Sequence, residues 1–170
     1  MALTLILTRH AKSSWSDPTI DDFDRSLNQR GRNAAPAVAS WLVARGYLPD
    51  IVLVSGARRT VETWQRMAPV MPETATMESM PALYHAGSDI ILGVLKAQTS
   101  PTVALIAHNP GIAEFAERIV KSPPKHPSFQ RYPTAATMVI KFDEASWSQI
   151  GWGQGKVLDF TVPRDLIDTS

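Results

Sequence analysis

Apolar runs and helical periodicities alternate along this chain. Residues 3–8 (LTLILT), 51–54 (IVLV) and 102–107 (TVALIA) are short runs of aliphatic and β-branched side chains, the pattern of strands buried on both faces. Between them the apolar spacing changes to three and four. Over 31–46 it sets Ala34, Val38, Trp41 and Leu42 on one helical face, and Gly46 ends that helix. Pro36 is expected in the first turn, where its missing N–H costs nothing. A second helix is expected over about 57–68. A third is expected over 89–98, with Ser88 as N-cap and Ile90, Ile91, Val94 and Leu95 facing the core. A fourth spans about 110–120. Residues 135–142 and 156–162 alternate more and read as two further strands, joined by SWSQIGWGQG. The acidic 15–31 and the proline-rich 121–133 read as loops, and 72–87 declares no period, with room for a short strand near residues 76–77. Strand–helix alternation of this kind predicts an α/β fold, a three-layer sandwich with a mainly parallel central sheet flanked by helices.

That topology gives meaning to the residues at the end of each strand. The first ends in Arg9-His10, the second runs into Ser55-Gly56-Ala57-Arg58-Arg59, and the third ends in His108-Asn109. In a parallel open sheet the carboxyl ends share one edge, and ligands bind in the crevice there. Two histidines and at least two arginines should therefore meet, with no Asp or Glu immediately after any of these strands to neutralise them. Like charges about 4 Å apart at an effective dielectric of about 20 repel by roughly 4 kcal/mol per pair. Such a cluster calls for an anion, and the ligand it suits is a doubly charged tetrahedral phosphoryl group. The helices after the strands would add N–H donors and positive dipole ends.

Residue type sets the chemistry. Arginine is permanently charged and grips two phosphate oxygens with a planar fork. A neutral imidazole is a competent nucleophile toward phosphorus. One histidine must be neutral to attack, while the other, His108, can stay protonated to stabilise the transition state. The reaction suggested is two-step: attack to form a phosphohistidine enzyme, then hydrolysis. It asks for no metal and no cofactor.

Composition narrows the setting. The 170 residues fit a single domain spanning the chain, with 44% hydrophobic and 19% charged side chains. Lys and Arg total 17 against 16 acids, so no bulk field favours nucleic acid or an anionic membrane. Cysteine is absent, which excludes thiolate nucleophiles, disulfides and zinc–thiolate sites and fits a cytoplasmic protein. No apolar stretch approaches the ~20 residues of a membrane span, and the first run is too short for a signal peptide. GWGQG at 151–155 leads into a strand, so it reads as a connection and not as a phosphate loop. The five tryptophans, Trp15, Trp41, Trp64, Trp147 and Trp152, read as core or edge packing. Lys121, Lys125, His126 and Arg131 make the proline-rich loop basic, which would attract a phosphorylated partner if it borders the pocket.

The phrases TRHAKS, SGARRTVET and AHNPG, in this order, resemble the histidine phosphatase (phosphoglycerate-mutase-like) superfamily. DFDRSLNQRGR, LYHA and YPTAATMVIKFD extend the likeness over nearly the whole chain, toward the small SixA-type phosphohistidine phosphatase branch. The resemblance implies His10 as nucleophile, Arg9 and Arg59 as phosphate clamps and His108 as the second histidine. It leaves Arg58 on the rim. Ser13, Ser16 and Asn109 are the implied polar contacts to substrate. Two departures stand out. Ala11 replaces a glycine that usually comes after the nucleophile, and PALYHAGSD lacks the glutamate general acid of many members. Asp21 and Asp22 are less favoured substitutes for that acid. Asp24-Arg25 reads as a pair that fixes the loop, and His85 as a surface ring beside Tyr84. Without the acid, a P–N bond suits the site better than an alkyl phosphate. The implied substrate is then phosphohistidine on a protein, for instance a histidine phosphotransfer domain. Two alternatives stay open: a phosphatase of small phosphorylated metabolites, and a non-catalytic module that binds phosphate or phosphopeptide.

Overall fold

The computed structural model describes residues 2–73 and 75–167. Six strands form one sheet: β1 (Leu3–Arg9), β2 (Ile51–Val54), β3 (Thr76–Ser79), β4 (Thr102–Ala107), β5 (Thr137–Phe142) and β6 (Lys156–Thr161), in the order β3-β2-β4-β1-β5-β6. The pairs β2–β3, β2–β4 and β1–β4 are parallel, and β5 runs antiparallel to both β1 and β6. The segment without a clear period thus supplies an edge strand. All four of its residues are exposed, which erases the apolar signal that marks the inner strands.

Successive side chains of the inner strands point to opposite faces, and each face has its own helical layer. Leu5, Leu7, Leu53, Val103 and Leu105 pack with Ile91 and Leu95 of α3 (Ser88–Lys96) and Ile112, Phe115 and Ile119 of α4 (Gly111–Ile119). Ile6, Val52, Val54, Ala104 and Ile106 pack with Ala35, Val38, Trp41 and Leu42 of α1 (Gln29–Ala44) and Trp64 and Met67 of α2 (Arg58–Met67). Full burial of each large side chain contributes about 1.5–3 kcal/mol. A short helix α5 (Pro163–Leu166) packs near α1. Among the described residues no helix is long and apolar enough to cross a membrane.

Three local expectations are corrected. Helix α1 begins at Gln29 because Asn28 caps it, its side chain accepting from the Gly31 N–H at 2.9 Å. Pro36 therefore lies inside the helix, where it removes the bond to the Arg32 carbonyl. Ser88 is the first residue of α3 and Gly87 its N-cap; the Ser88 hydroxyl instead accepts from Arg118 at 2.6 Å and donates to Glu114 at 3.0 Å. Ile90 is 51% exposed, because the buried stripe is centred on Ile91 and Leu95 and Ile90 sits about 100° round the helix from it. Gly46 does end α1, with φ of 77°.

Two glycines set the approach of helices to the site loops. A Cβ on Gly31 would run into the Lys12 backbone, and one on Gly111 into the Ala86 carbonyl. The start of α1 is thereby pressed against the segment after β1, and the start of α4 against the segment after the turn at 81–83.

Candidate active site

The ends of β1 and β4 are tied by the His10 N–H donating to the Ala107 carbonyl at 3.1 Å. The Ala11 N–H donates to Thr63 Oγ1 at 2.9 Å, and that hydroxyl donates to the Arg59 carbonyl at 2.7 Å. One threonine thus fixes the turn after β1 against the first turn of α2. Ala11 is fully buried and does not share the positive φ of Tyr132 and Ala135, so its methyl is accommodated without strain there.

These constraints bring Arg9, His10, Arg59, His108 and Asn109 to one cleft of about 210 Å³, along with Ser13. His10 and His108 lie with ring centroids 5.2 Å apart. His10 is 5% exposed, and its Nδ1 is 2.7 Å from the Ala11 carbonyl oxygen. A carbonyl only accepts, so Nδ1 carries the proton and the Nε2 lone pair is left available. Burial pushes His10 down to about 3; His108, Arg9 and Arg59 add to the push, and the Ala11 bond opposes it. The His10 ring is thus held both neutral and in one tautomer.

His108 does not hold a proton on its own: burial, then Arg59, brings it down to about 3 despite the opposing Asp22, so the ring is neutral near pH 7 in the protein alone. Its Nε2 lies 2.8 Å from Ser55 Oγ, and the hydroxyl can complement either tautomer. A dianion beside it would favour the protonated form, the state expected from the sequence.

The two arginines are held differently. Arg9 donates through Nη1 to the Tyr132 carbonyl at 3.3 Å, and burial with repulsion from Arg59 lowers its affinity for the proton. Arg59 points both end nitrogens at one residue: Nη1 donates to the Asp22 carbonyl at 2.7 Å and Nη2 to Asp22 Oδ2 at 3.0 Å. Among the described residues both Nε–H groups are buried without a partner, which leaves each guanidinium a side edge for an oxyanion.

Asp22 is the residue that inspection of strand ends misses. Its Oδ1 accepts from Arg25 Nε at 3.2 Å and Nη2 at 3.0 Å, while Tyr84 donates to Oδ2 at 2.6 Å. The Tyr84 bond chiefly, with the two arginines, holds its carboxyl well below the usual carboxylate range, outweighing the opposing cost of desolvation. A carboxylate kept ionised in this way is a support for Arg59 and not a proton donor. It also supplies the neutralising charge that no strand end carries.

Arg25 therefore pairs with Asp22 and not with Asp24. It lines the cleft, donates to Ser13 Oγ at 2.6 Å and stacks 3.5 Å over the Trp15 ring. Trp15 is 75% exposed at the cleft mouth and is no part of the core, because Arg25 gives it a face to cover. Trp41, Trp64 and Trp147 are buried, and Trp152 is half-buried under Arg118. Ser16 does not line the cleft; it is exposed and its hydroxyl pairs with Ser14 at 2.8 Å. Asn109 lines it, its amide donating to the carbonyls of Arg131 at 2.8 Å and Tyr132 at 3.2 Å. The end of the proline-rich loop thus holds a wall residue in place, while none of Lys121, Lys125, His126 and Arg131 lines the cleft. Arg58 is exposed and paired with Glu62 at 2.8 Å, outside the cleft. His85 is exposed and stacks on Tyr84 at 4.0 Å between centroids. The 151–155 stretch joins strands, with the Gly155 N–H donating to Ile119 and its carbonyl accepting from Lys121.

Comparison with known proteins agrees with this geometry. The model of the histidine phosphatase superfamily (branch 1) matches residues 5–74. A curated relative, an uncharacterised chloroplastic protein of Arabidopsis thaliana, is 32% identical over 126 residues covering 68% of this chain; the chain spans 58% of that relative's length. Two solved structures assigned as phosphohistidine phosphatase SixA are similar. The one from Agrobacterium tumefaciens is 27% identical with a TM-score of 0.78, over 95% of this chain and 98% of the other. The one from Nakamurella multipartitia is 26% identical with a TM-score of 0.78, over 96% and 98%. A protein histidine phosphatase SixA solved with tungstate shares the fold at a TM-score of 0.80 and 20% identity, over 97% and 100%. Sheet order, strand-end chemistry and these matches define one class, the histidine phosphatases. The chain belongs to the histidine phosphatase superfamily, on its SixA-type side.

Proposed function

We propose that this chain is a metal-independent phosphatase that works through a phosphohistidine on His10 and removes phosphate from phosphohistidine on a protein. The bond from His10 Nδ1–H to the Ala11 carbonyl carries the reading, because it leaves Nε2 as the attacking atom. Arg9 and Arg59 hold the phosphoryl oxygens. The Nε2 lone pair forms a P–N bond as the substrate's P–N bond breaks, and the leaving imidazole takes the electron pair and a solvent proton. Water then attacks phospho-His10, releasing inorganic phosphate and restoring the neutral ring. His108 gains its proton when the dianion arrives and stabilises charge on the oxygens.

The substrate class rests on three supports. Asp22 is held ionised and does not donate a proton, so a leaving group that protonates on its own ring nitrogen suits the site. The cleft is small, about 210 Å³, and takes a phosphoryl group with little beyond it. The relatives at 27% and 26% identity bear the name phosphohistidine phosphatase.

Rapid quenching with a labelled phosphoramidate, then mapping of the labelled residue, tests the proposal. Label is expected on His10, with neither label nor turnover in His10→Ala. Turnover that survives His10→Ala would overturn it.

A further inference from the structure

The phosphoryl cleft does not stand alone. A second cleft of about 460 Å³ adjoins it, sharing Lys12 and Thr134 in its wall, and it brings Arg30, Asn33 and Arg164 beside Lys12. Among the described residues no carboxylate lines it. Arg30 sits in the first turn of α1, a turn that has no acidic residue, so its charge faces the positive end of that helix. Ala34, Pro163 and Ile167 give the cleft an apolar floor. A third cleft adjoins on another side, sharing His108 and Asn109, and is lined by Tyr84, His85 and Glu114. The surroundings of the phosphoryl site are therefore lopsided. One flank is cationic, and the other is aromatic with a carboxylate.

Resting on the function proposed above, we infer that the cleft of Lys12, Arg30, Asn33 and Arg164 is a specificity subsite for acidic side chains of the polypeptide that carries the phosphohistidine. Three cations over an apolar floor suit a short chain segment bearing Asp or Glu, whose methylenes rest on Ala34 and Ile167 while its carboxylates meet the guanidinium groups. The shared wall at Lys12 and Thr134 lets such a segment run on from the phosphorylated residue without a break. The opposite flank, with Glu114, gives acidic residues no such partner, so the subsite also fixes which way the polypeptide lies.

Two phosphohistidine peptides that differ only in flanking Asp/Glu against Asn/Gln test this, with the intact protein and the double variant Arg30→Gln/Arg164→Gln. Neither arginine lines the phosphoryl cleft. Two exposed ion pairs predict about a fivefold advantage in kcat/KM for the acidic peptide in the unaltered protein, shrinking as salt is raised. The double variant should bring the two peptides to near equality while hydrolysing phosphoramidate, which has no flanking residues, at the unaltered rate. An acidic preference absent from the unaltered protein, or unchanged in the double variant, overturns the subsite. A gain confined to small molecules carrying a second phosphate overturns the polypeptide assignment. Failure to hydrolyse phosphoramidate at all would instead count against the catalytic reading. Fluorescence anisotropy of the unphosphorylated acidic peptide, weaker with the double variant, then reads the subsite separately.

Discussion

Arg9 and Arg59 bring the same guanidinium to one cleft from opposite settings. Arg9 ends the central strand, and among the described residues its one side-chain acceptor is a backbone carbonyl, that of Tyr132. Arg59 stands in the first turn of a helix, and both its end nitrogens rest on Asp22, a residue of the loop after β1. The first arm is fixed by the sheet itself. The second depends on a loop that Tyr84 and Arg25 must hold in turn. Any fold with this sheet keeps Arg9 in place, whereas the geometry of Arg59 can be altered without touching the core.

The largest effect comes from removing either arm. Arg9→Ala and Arg59→Ala should each lower kcat about 10²–10³-fold with a phosphohistidine peptide, the usual loss for one charged donor to a developing oxyanion. Lysine at either position should restore little, because a point charge lacks the side edge that both unpartnered Nε–H groups offer. Unaltered activity in either alanine variant would break the comparison, by showing that one arm is idle.

Next in size is Asp22→Asn, with a drop of about tenfold in kcat/KM from loss of a charge-assisted support, most of it in KM. The two-arm picture makes a sharper demand on double variants. Asp22→Asn should add nothing once Arg59 is alanine, and should add in full to Arg9→Ala. Full additivity in both backgrounds would mean that Asp22 acts on something other than Arg59.

Why one arm was legible before the structure and the other's support was not is a matter of what the chain pattern fixes. A parallel sheet places the carboxyl ends of its strands together, so the meeting of Arg9, His10, His108 and the Arg58-Arg59 stretch comes from counting apolar runs, while the choice of Arg59 over Arg58 came from the family resemblance. Their convergence needs no knowledge of loops. Asp22 meets Arg59 across 37 positions of sequence through an irregular segment, and no periodicity says which of the aspartates at 17, 21, 22 and 24 makes that contact. The same loop put Ser16 outside the cleft and Trp15 at its mouth. The charge of His108 in the protein alone is hidden from the sequence for a different reason. Residue type gives a pKa near 6.5, while burial among guanidinium groups is a property of the assembled cleft.

That burial predicts the pH behaviour of the protein alone. Unfolded imidazoles titrate near 6.5, and His10 and His108 are held down to about 3 in the folded chain. Between those values the unfolded state binds more protons, so stability falls as pH falls through the window and is level above it. Urea midpoints measured from pH 8 to 4 should be flat at first and then decline, less steeply in His10→Asn. Proton NMR should show neither ring titrating above pH 5 without ligand. Vanadate, a tetrahedral oxyanion, should then raise the His108 midpoint. A free-protein midpoint near 6.5 for His10 would remove the claim that the site alone keeps the nucleophile neutral.

The smallest effect tests a contact that belongs to neither arm. Ser55 Oγ, at the end of β2, meets His108 Nε2 at 2.8 Å, and the serine is fully buried. Ser55→Ala removes one neutral hydrogen bond from a ring that is also packed edge-on by Tyr84, with centroids 5.6 Å apart. Loss of about threefold in kcat is expected, with KM little changed, since the arms that hold the phosphoryl group are untouched. If His108 acts as a proton-bearing stabiliser only when the dianion is present, the same variant should also weaken the vanadate-induced rise in its midpoint. A hundredfold loss instead would make Ser55 as important as an arginine arm, and the division of labour between the strand-borne and loop-borne clamps would have to include a third, serine-held partner.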